Sequence, residues 1–592
     1  MDDQNHDKKS RSGLMRLVRY AHFAVRPLSL GFVLTMLTVG LDLAGPYLIS
    51  RMLDREIIVG VGIRDTQIFV TMILLYATTV LLSLIARYGG NVSNQTAANR
   101  ISVVMQREIF GHVQKMPVSY FDTLAAGSVV SRVTNDTKAV RVFFTTVLSQ
   151  LLMALMFALG ILFGLLSIDW RLFLIASISF PVLFFLFRDF QRKSLNYSRR
   201  YRKGISKLNA SMNENIQGIE VIQAFSRERD IYDSYSNIND TVFRNGLGMT
   251  RLHSYSGGNA TETLNYVILA IALLYFGISN ITGTNVVPIG HLYLFIDYMI
   301  RFFGQMNRAM QNLGNLERAR GAADHIFELL DQEALSDEGQ VLDRVEGDVA
   351  FEHVTFAYKK DETVLKDVSF SIPRGLTAAF VGQTGAGKST IMNLLFSFYE
   401  PGEGRVLIDG NDLKTLNKRA VRQHMAIVTQ EPFLFTGTIE SNITLNRHDL
   451  GPEAAQTALI EVGGGTFLAG LDEGIKTQVR ERGKEFSAGE RQLISFARAL
   501  AQDPTVLILD EATSHIDTET EQIIQKGVER LSKGRTTLII AHRLSTIRDA
   551  NKIYVLDQGK IVEQGNHAEL MAESGIFANM VEMQTRQNLH RP

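Results

Sequence analysis

The sequence predicts an α-helical six-span transmembrane domain followed by an α/β domain built around a phosphate loop. Three observations carry that prediction. Long uncharged apolar runs are confined to residues before about 300, each near the roughly 20 residues needed to cross hydrocarbon. A loop of the form G-x-x-x-x-G-K-[ST] occupies Gly382–Ser389, between an apolar run and a helical one. Short strand patterns alternating with helical stretches fill the chain from residue 349 onward.

At 592 residues the chain is too long for one core, and length alone suggests about three or four domain-sized units. Lysine plus arginine (61) balances aspartate plus glutamate (61), so no global charge points to a nucleic-acid partner. There is no cysteine, which excludes disulfides, thiolate metal sites and cysteine nucleophiles; it fits a cytosol-facing or an engineered protein. Met1–Arg11 is polar and charged, without the pattern of a removable signal peptide.

The apolar runs come in order. Ser29–Ser50 is broken only by Asp42 and Pro46; Ile68–Ala86 and Val142–Ser167 carry no charge. After the short Ile168-Asp169-Trp170-Arg171 comes Leu172–Phe187, then Leu264–Ile281, and last the weaker Val286–Ile300, which contains Asp297. One such run fits a soluble core helix; this many do not. Basic residues precede the first span (Lys8, Lys9, Arg11, Arg16, Arg19, Arg26) and follow the fourth (Arg188, Arg192, Lys193, Arg199, Arg200, Arg202, Lys203). Both flanks are therefore cytoplasmic, and an even number of spans returns the chain to that side. The two long cytoplasmic connections, after spans two and four, hold helical apolar spacing such as Ile216, Ile219, Val221, Ile222 and Phe225. They read as membrane helices that continue into the cytoplasm and turn there.

Asp42, Glu262 and Asp297 lie in or beside the spans. Charge at that depth is costly and commonly faces a bundle interior or a wet path, which makes the three candidate substrate contacts. A plainer reading stands beside it: Glu262 at the membrane surface, and Asp297 paired with Arg301 one turn on.

Around Asp331–Gly347 the composition turns acidic and polar, marking a domain boundary. Strand patterns follow at Val349–Phe356, Val368–Ile372, Thr377–Val381, Arg405–Ile408, Met425–Val428, Val506–Leu509 and Thr536–Ile540, with a closing hairpin at Lys552–Glu563. In the loop Gly382-Gln383-Thr384-Gly385-Ala386-Gly387-Lys388-Ser389, followed by Thr390, glycines let backbone N–H groups curl around a phosphate and the helix start adds positive potential. Lys388 then reaches the β- and γ-phosphates of ATP and the Ser389 hydroxyl binds Mg²⁺. The apolar Thr505–Leu509 delivers Asp510 and Glu511 at its end. Alone these two read as surface charge. After a phosphate loop, Asp510 is placed to hold Mg²⁺ through water and Glu511 to polarise the attacking water.

From about residue 14 to 585 the chain resembles a half-transporter of the ATP-binding cassette (ABC) exporter family, six spans followed by one cassette. Tyr358 resembles the aromatic residue that stacks on adenine, and Gln430, in Val428-Thr429-Gln430-Glu431-Pro432, the glutamine that reaches metal and attacking water. Ser514-His515-Ile516-Asp517 matches the D-loop, and His542 the switch histidine near the γ-phosphate. Phe110–Asp136 and Glu214–Glu228 resemble the two intracellular loops, whose coupling helices near Tyr120–Asp122 and Phe225–Glu228 dock on cassettes.

The signature departs from the family's Leu-Ser-Gly-Gly-Gln: here it reads Phe486-Ser487-Ala488-Gly489-Glu490. Ser487 and Gly489 keep the hydroxyl and backbone contacts to a γ-phosphate bound on the opposite chain. Ala488 adds a methyl, and Glu490 a charge that opposes the triphosphate if it points there and is silent if it points to solvent. Arg480-Glu481 stands where Gly-Glu is usual. A complete phosphate loop and Asp510-Glu511 beside an altered signature implies, by resemblance, the subunit of a bacterial heterodimeric multidrug exporter that carries the catalytic glutamate; a homodimer is the alternative.

The resemblance implies the following expectations. Residues 1–28 form a cytoplasmic elbow segment, 29–330 the transmembrane domain, 331–347 a linker, 348–585 the cassette and 586–592 a tail. The protein is an ATP hydrolase in the plasma (inner) membrane, with the N-terminus and cassette cytoplasmic. Its partners are a second half-transporter, the lipid bilayer and a small amphipathic substrate, with no nucleic acid. Multidrug export comes first; a lipid or lipid-linked substrate and a peptide follow, the absence of a peptidase domain before the first span weighing against the last. The membrane runs exclude a soluble cassette ATPase, and the fused order disfavours an importer. An ATP-gated channel or membrane regulator keeps every cassette motif and remains the rival of another class.

Overall fold

The computed structural model describes residues 13–58, 62–124, 126–256, 258–282, 287–335, 338–342, 344–359, 362–510, 518–540 and 547–589. The chain divides into two compact units, one of Met1–Met116 and Leu124–Glu333, the other of Ala334–Pro592 together with Pro117–Thr123.

The first unit is helical. In chain order its elements are α1 (Gly13–Arg55), α2 (Thr66–Val113), then, past α3 (Val118–Thr123) of the second unit, α4 (Gly127–Ile168), α5 (Trp170–Gln217), α6 (Ile219–Ala224), α7 (Glu228–Ser256), α8 (Gly258–Thr282), α9 (Ile289–Gln311) and α10 (Leu313–Leu330). Five of these, α1, α2, α4, α5 and α8, are long and apolar enough to cross a membrane. The sixth expected run is helical as α9, which begins after Pro288, but with His291, Asp297 and Arg301 on it α9 is not among the five. The two long connections are helical throughout most of their length. The 48 residues of α2 rise about 72 Å, more than twice the hydrocarbon thickness, so the helix has ample length to run on past a membrane. Local chemistry sets the breaks. The Asp65 carboxylate accepts from the Gln67 and Ile68 N–H groups to start α2, and Asp169 accepts from the Arg171 N–H in the short turn between α4 and α5.

Small residues let α1 and α2 approach: a Cβ on Gly31 would lie 2.2 Å from Asn94 Oδ1, and one on Gly90 within 3.5 Å of Leu34. Tyr298 of α9 lies across Gly164 of α4 and donates its hydroxyl to the Leu43 carbonyl of α1 at 2.9 Å. Around it Phe157, Ile161, Leu165, Ile268, Phe295 and Phe302 close an apolar core.

The second unit holds two main sheets, beside a short antiparallel pairing of Gly437–Thr438 with Gln478–Val479. The strands of the main sheets are β1 (Val349–Ala357), β2 (Thr363–Ile372), β3 (Thr377–Gly382), β4 (Glu403–Ile408), β5 (Asn411–Asp412), β6 (Met425–Val428), β7 (Val506–Asp510), β8 (Thr536–Ile540), β9 (Lys552–Asp557) and β10 (Lys560–Gly565). One sheet has the order β10-β9-β3-β8-β7-β6, parallel except at β10; the other is antiparallel, β2-β1-β4-β5. β2 begins at Thr363, five residues before the expected Val368, because Thr363 and Leu365 pair with Ala357 and Phe356 of β1. Side chains alternate across the parallel sheet: Ala379, Val381, Leu507 and Leu509 enter one core, Ala378, Phe380, Val506 and Ile508 the other. Phe370 of β2 meets Phe380 (centroids 5.0 Å) and Tyr554 (5.3 Å), which packs the antiparallel sheet on the parallel one. The helices α11 (Lys388–Leu395), α12 (Ala488–Ala501) and α13 (Thr518–Ser532) complete the frame of the site.

Candidate functional site

The phosphate loop is the turn from β3 into α11. Its three glycines all have positive φ: Gly382 at +153°, Gly385 at +86° and Gly387 at +105°. A Cβ on Gly382 would stand 2.2 Å from the Leu556 carbonyl oxygen, and one on Gly387 2.6 Å from Leu365 Cδ2, so packing as well as backbone angle requires glycine at both. Lys388 is buried (5% exposed) and its ammonium donates to the carbonyls of Gly382 at 2.7 Å and Gln383 at 3.1 Å, which braces the loop around it. Gln383, Thr384, Gly385 and Ser389 are exposed, Ala386 and Thr390 buried.

The parallel register brings the other groups to the same edge. Asp510 is level with Ile540 of β8, and Ile540 with Phe380 of β3; Leu509 is level with Val428 of β6. Gln430, two residues past Val428, and Asp510 therefore leave the sheet at the carboxyl ends of parallel strands, as the loop does from β3, where open α/β sheets bind their ligands. One strand lies between β3 and β7, so Asp510 starts about 10 Å across the sheet from the loop. Glu511, the D-loop Ser514–Asp517 and His542 lie outside the described residues. Ser389 at the first turn of α11 and Asp510 at the end of β7 form an all-oxygen donor set, which suits a hard divalent cation such as Mg²⁺.

Tyr358, one residue past β1, is 45% exposed and held at both ends. Its hydroxyl donates to Thr390 Oγ1 at 3.2 Å and accepts from Asn393 Nδ2 at 3.0 Å, while Phe356 and Tyr399 meet its ring edge-on at 4.8 and 5.0 Å. One ring is thus fixed beside the helix that follows the phosphate loop.

The signature begins α12. Ser487 is the N-cap: its Oγ accepts from the Glu490 N–H at 3.2 Å, and its own N–H donates to Glu490 Oε2 at 2.7 Å, a reciprocal capping box. The Glu490 carboxylate folds back onto the start of its own helix, where it accepts from the Ser487 N–H. Ser487 is exposed and Gly489 buried. Arg480 is extended (φ −120°), so arginine costs nothing there, whereas Glu481 (φ 39°) and Arg482 (φ 65°) hold left-handed backbone.

Sequence reasoning missed Arg498. From α12 its guanidinium donates to the Asn442 carbonyl at 2.8 Å, to the Phe433 carbonyl at 3.1 Å and to Asn442 Oδ1 at 3.2 Å. Asn442, wholly buried, in turn accepts from the Phe435 N–H at 2.7 Å and donates to its carbonyl at 2.8 Å. Arg498 thereby ties the signature helix to the segment that follows Gln430. Burial pushes its guanidinium down, and among the described residues no carboxylate pairs with it. Only the spacing of a basic residue on an otherwise apolar helix face, in Phe496-Ala497-Arg498-Ala499, signalled it.

In the first unit the acidic candidates separate. Asp42 accepts from Ser83 Oγ at 2.6 Å and from Arg87 at 2.5 Å, both on α2. Asp297 pairs with Arg301 one turn on. Glu262 is exposed and has no ion pair among the described residues.

Comparisons with known proteins agree with this geometry. A family model described as ABC transporter transmembrane region matches residues 28–306, and one described as ABC transporter matches residues 365–514. The chain is 42% identical over 519 residues to the "Probable multidrug resistance ABC transporter ATP-binding/permease protein YheH" of Bacillus subtilis (strain 168), covering 88% of this chain and 77% of that one. It is 31% identical over 569 residues to the ATP-dependent lipid A-core flippase of Sodalis glossinidius, covering 95% and 96%. A solved bacterial Atm1-family ABC exporter with ATP bound superposes with a TM-score of 0.79 at 24% identity, over 94% of this chain and 98% of that one; at that identity the likeness concerns the fold.

Proposed function

This chain belongs to the ABC transporter family, with the transmembrane region and the ATP-binding domain on one polypeptide, and from that premise we propose that it exports small amphipathic compounds as one half of a heterodimer. It is a multi-pass membrane exporter that couples ATP hydrolysis to transport, and such exporters work as paired cassettes in a bilayer. The observation that carries the finer reading is an intact phosphate loop beside an altered signature on one chain. The multidrug name of the YheH relative supports the substrate class; the flippase name of the other relative favours a lipid-linked substrate as the second reading.

In this reading residues 1–28 are the elbow, 29–330 the membrane domain with six spans, 331–347 the linker, 348–585 the cassette and 586–592 a tail. ATP binds with its adenine on Tyr358 and its phosphates in Gly382–Thr390. Lys388 leaves its own loop carbonyls to hold the β- and γ-phosphates, an exchange of hydrogen-bond acceptors that tightens the site only when phosphate is present. Glu511 orients the attacking water, Gln430 and His542 frame it, and Asp517 meets the opposite chain. Ser389, Gln430 and, through water, Asp510 would hold Mg²⁺, which would supply positive charge to offset that of the phosphates. Catalysis is positioning and charge stabilisation. Closure over ATP moves the coupling segments near Tyr120–Asp122 and Phe225–Glu228 and with them the membrane helices. The grouping of Pro117–Thr123 with the second unit supports the first of these, and Phe225, 73% exposed at the turn between α6 and α7, has the free apolar face the second requires. Asp42 and Asp297 carry their own arginine partners, which makes Glu262 the better-placed of the three for a cationic substrate.

The partner's signature closes over Lys388, Asp510 and Glu511, and this chain's Ser487 and Gly489 serve the weaker site. The test is to purify the chain alone. Substrate-stimulated ATP hydrolysis at normal turnover without a second subunit removes the heterodimer from the account.

A further inference from the structure

A cavity of about 340 Å³ lies in the second unit between the end of α13, the start of β3 and the turn that leads into β9. Thr377, on its wall, opens β3, whereas the phosphate loop leaves the other end of that strand at Gly382, about 17 Å of strand away. The cavity is therefore separate from the nucleotide site, and its volume is that of a small-molecule site. Val528, Ile539 and Ala550, all buried members of the apolar core, supply an apolar wall. The rim is open, since a Cβ on Gly375 or on Gly534 would meet nothing within 4 Å.

Three charged side chains share this cavity: Glu529, Lys533 and Asp549, all exposed. Among the described residues none of them makes an ion pair. The neighbouring guanidinium groups are engaged elsewhere, Arg535 with Asp503 at 2.7 Å and Arg530 with the Glu461 carbonyl at 2.5 Å. Two carboxylates against one ammonium leave negative charge in excess, and the C-terminal end of α13 adds the negative end of a helix dipole. Ser532, the last residue of α13, also lines the cavity; its Oγ is shielded from water and has no hydrogen-bond partner among the described residues. A hydroxyl so placed is rarely left unpaired. Among the described residues no group of three or more His, Asp or Glu side chains gathers as a metal ion requires, so a cation that suits this cavity is an organic one.

We propose that this cavity binds a small organic monocation, an amine or guanidine with a compact apolar body. Its charge lies against Glu529 and Asp549, its body against Val528, Ile539 and Ala550, and Ser532 Oγ gains an N–H partner. The site goes beyond the export reading and needs neither a partner subunit nor a transported compound.

The experiment measures amide hydrogen exchange in the full-length protein, at low salt and without nucleotide, as 2-phenylethylammonium chloride is added. A probe this small should bind in the millimolar range, with exchange slowed over 525–534 and 547–551. The neutral 2-phenylethanol should give much less protection there. Glu529→Gln with Asp549→Asn should weaken binding about five- to thirtyfold, and Lys533→Gln should tighten it about two- to fivefold, both effects shrinking as salt is added. All three positions are exposed, so the variants should melt as the parent does. The double variant also separates this site from any other on the protein, because protection outside the two segments should survive it. No protection in these segments, equal protection by the alcohol, or a double variant that binds as the parent does overturns the proposal. Weaker binding in Lys533→Gln overturns it too, since the lysine would then be holding the ligand.

Discussion

Replacing Arg498 by alanine tests how the segment after Gln430 is held. Four contacts disappear, to the Phe433 carbonyl, the Asn442 carbonyl, Asn442 Oδ1 and the ring face of Phe435, whose centroid is 5.9 Å from the guanidinium carbon. They do not cost alike. Asn442 Oδ1 keeps the Phe435 N–H at 2.7 Å, and the Phe433 carbonyl belongs to a residue 48% exposed and can be rehydrated. The Asn442 carbonyl belongs to a wholly buried residue and is orphaned, at about 1–3 kcal/mol. With the lost packing of the side-chain stem, and less the relief of an unpaired buried cation, local opening should become easier by about 2–4 kcal/mol. Amide hydrogen exchange over 433–446 in the full-length protein reads this directly. Exchange should quicken about thirtyfold to several hundredfold, since each 1.4 kcal/mol is about a factor of ten. Arg498→Lys, which keeps the charge but not the fork, should fall between. A change below about threefold in Arg498→Ala would mean the segment is held by the apolar core alone, against the arrangement described.

Other changes follow from the site. Lys388→Ala should cut ATP hydrolysis by more than about a hundredfold, because no other cation lies within the loop; steady-state phosphate release checks it. Glu511→Gln should retain ATP and stop turnover, and near-normal hydrolysis would remove Glu511 from its role. Tyr358→Phe keeps the ring but frees it from Thr390 and Asn393, so ATP affinity should fall by less than about fivefold, against more than about tenfold for Tyr358→Ala, by equilibrium binding. The Lys418 ammonium, 2.8 Å away, with Lys414 behind it, holds the Glu400 carboxyl below its usual value of 4.5. Its small contribution is complete above pH 4.5 and lost as pH falls below it, so Glu400→Gln should lower the melting temperature slightly at neutral pH, flatten its decline below pH 4.5 and leave the acid end unchanged.

The parts of the fold legible in the sequence are those fixed by local pattern. The loop's glycines show in the sequence because each meets a backbone demand that other residues cannot. The strands of the parallel sheet show because both faces are buried and the runs are continuously apolar. β2 was underestimated because Thr363–Lys366 has no alternation, and its pairing with β1 supplies what the pattern lacks. Less legible were the partners of charges. Asp42 finds Arg87 and Ser83 some 40 residues on, a separation of 45 for the arginine, and nothing in a one-dimensional pattern carries that. The S-x-x-E spacing of Ser487 and Glu490 is the pattern of a capping box, so the hydrogen bonds of this carboxylate are legible locally even where its ligand is not. Arg498 acts through carbonyl oxygens, which every residue has, and so leaves no partner to find.

The central claim is that ATP hydrolysis in this chain's cassette moves an amphipathic compound across the membrane. Vesicles holding the chain with its partner subunit, loaded with a fluorescent amphipathic cation and supplied with ATP and Mg²⁺, test it directly. The account predicts directional flux that stops in Glu511→Gln and in Lys388→Ala while the vesicles stay sealed. Hydrolysis at full rate without flux, or a flux of small ions down their gradient gated by ATP, would contradict it and make the protein a channel or a regulator.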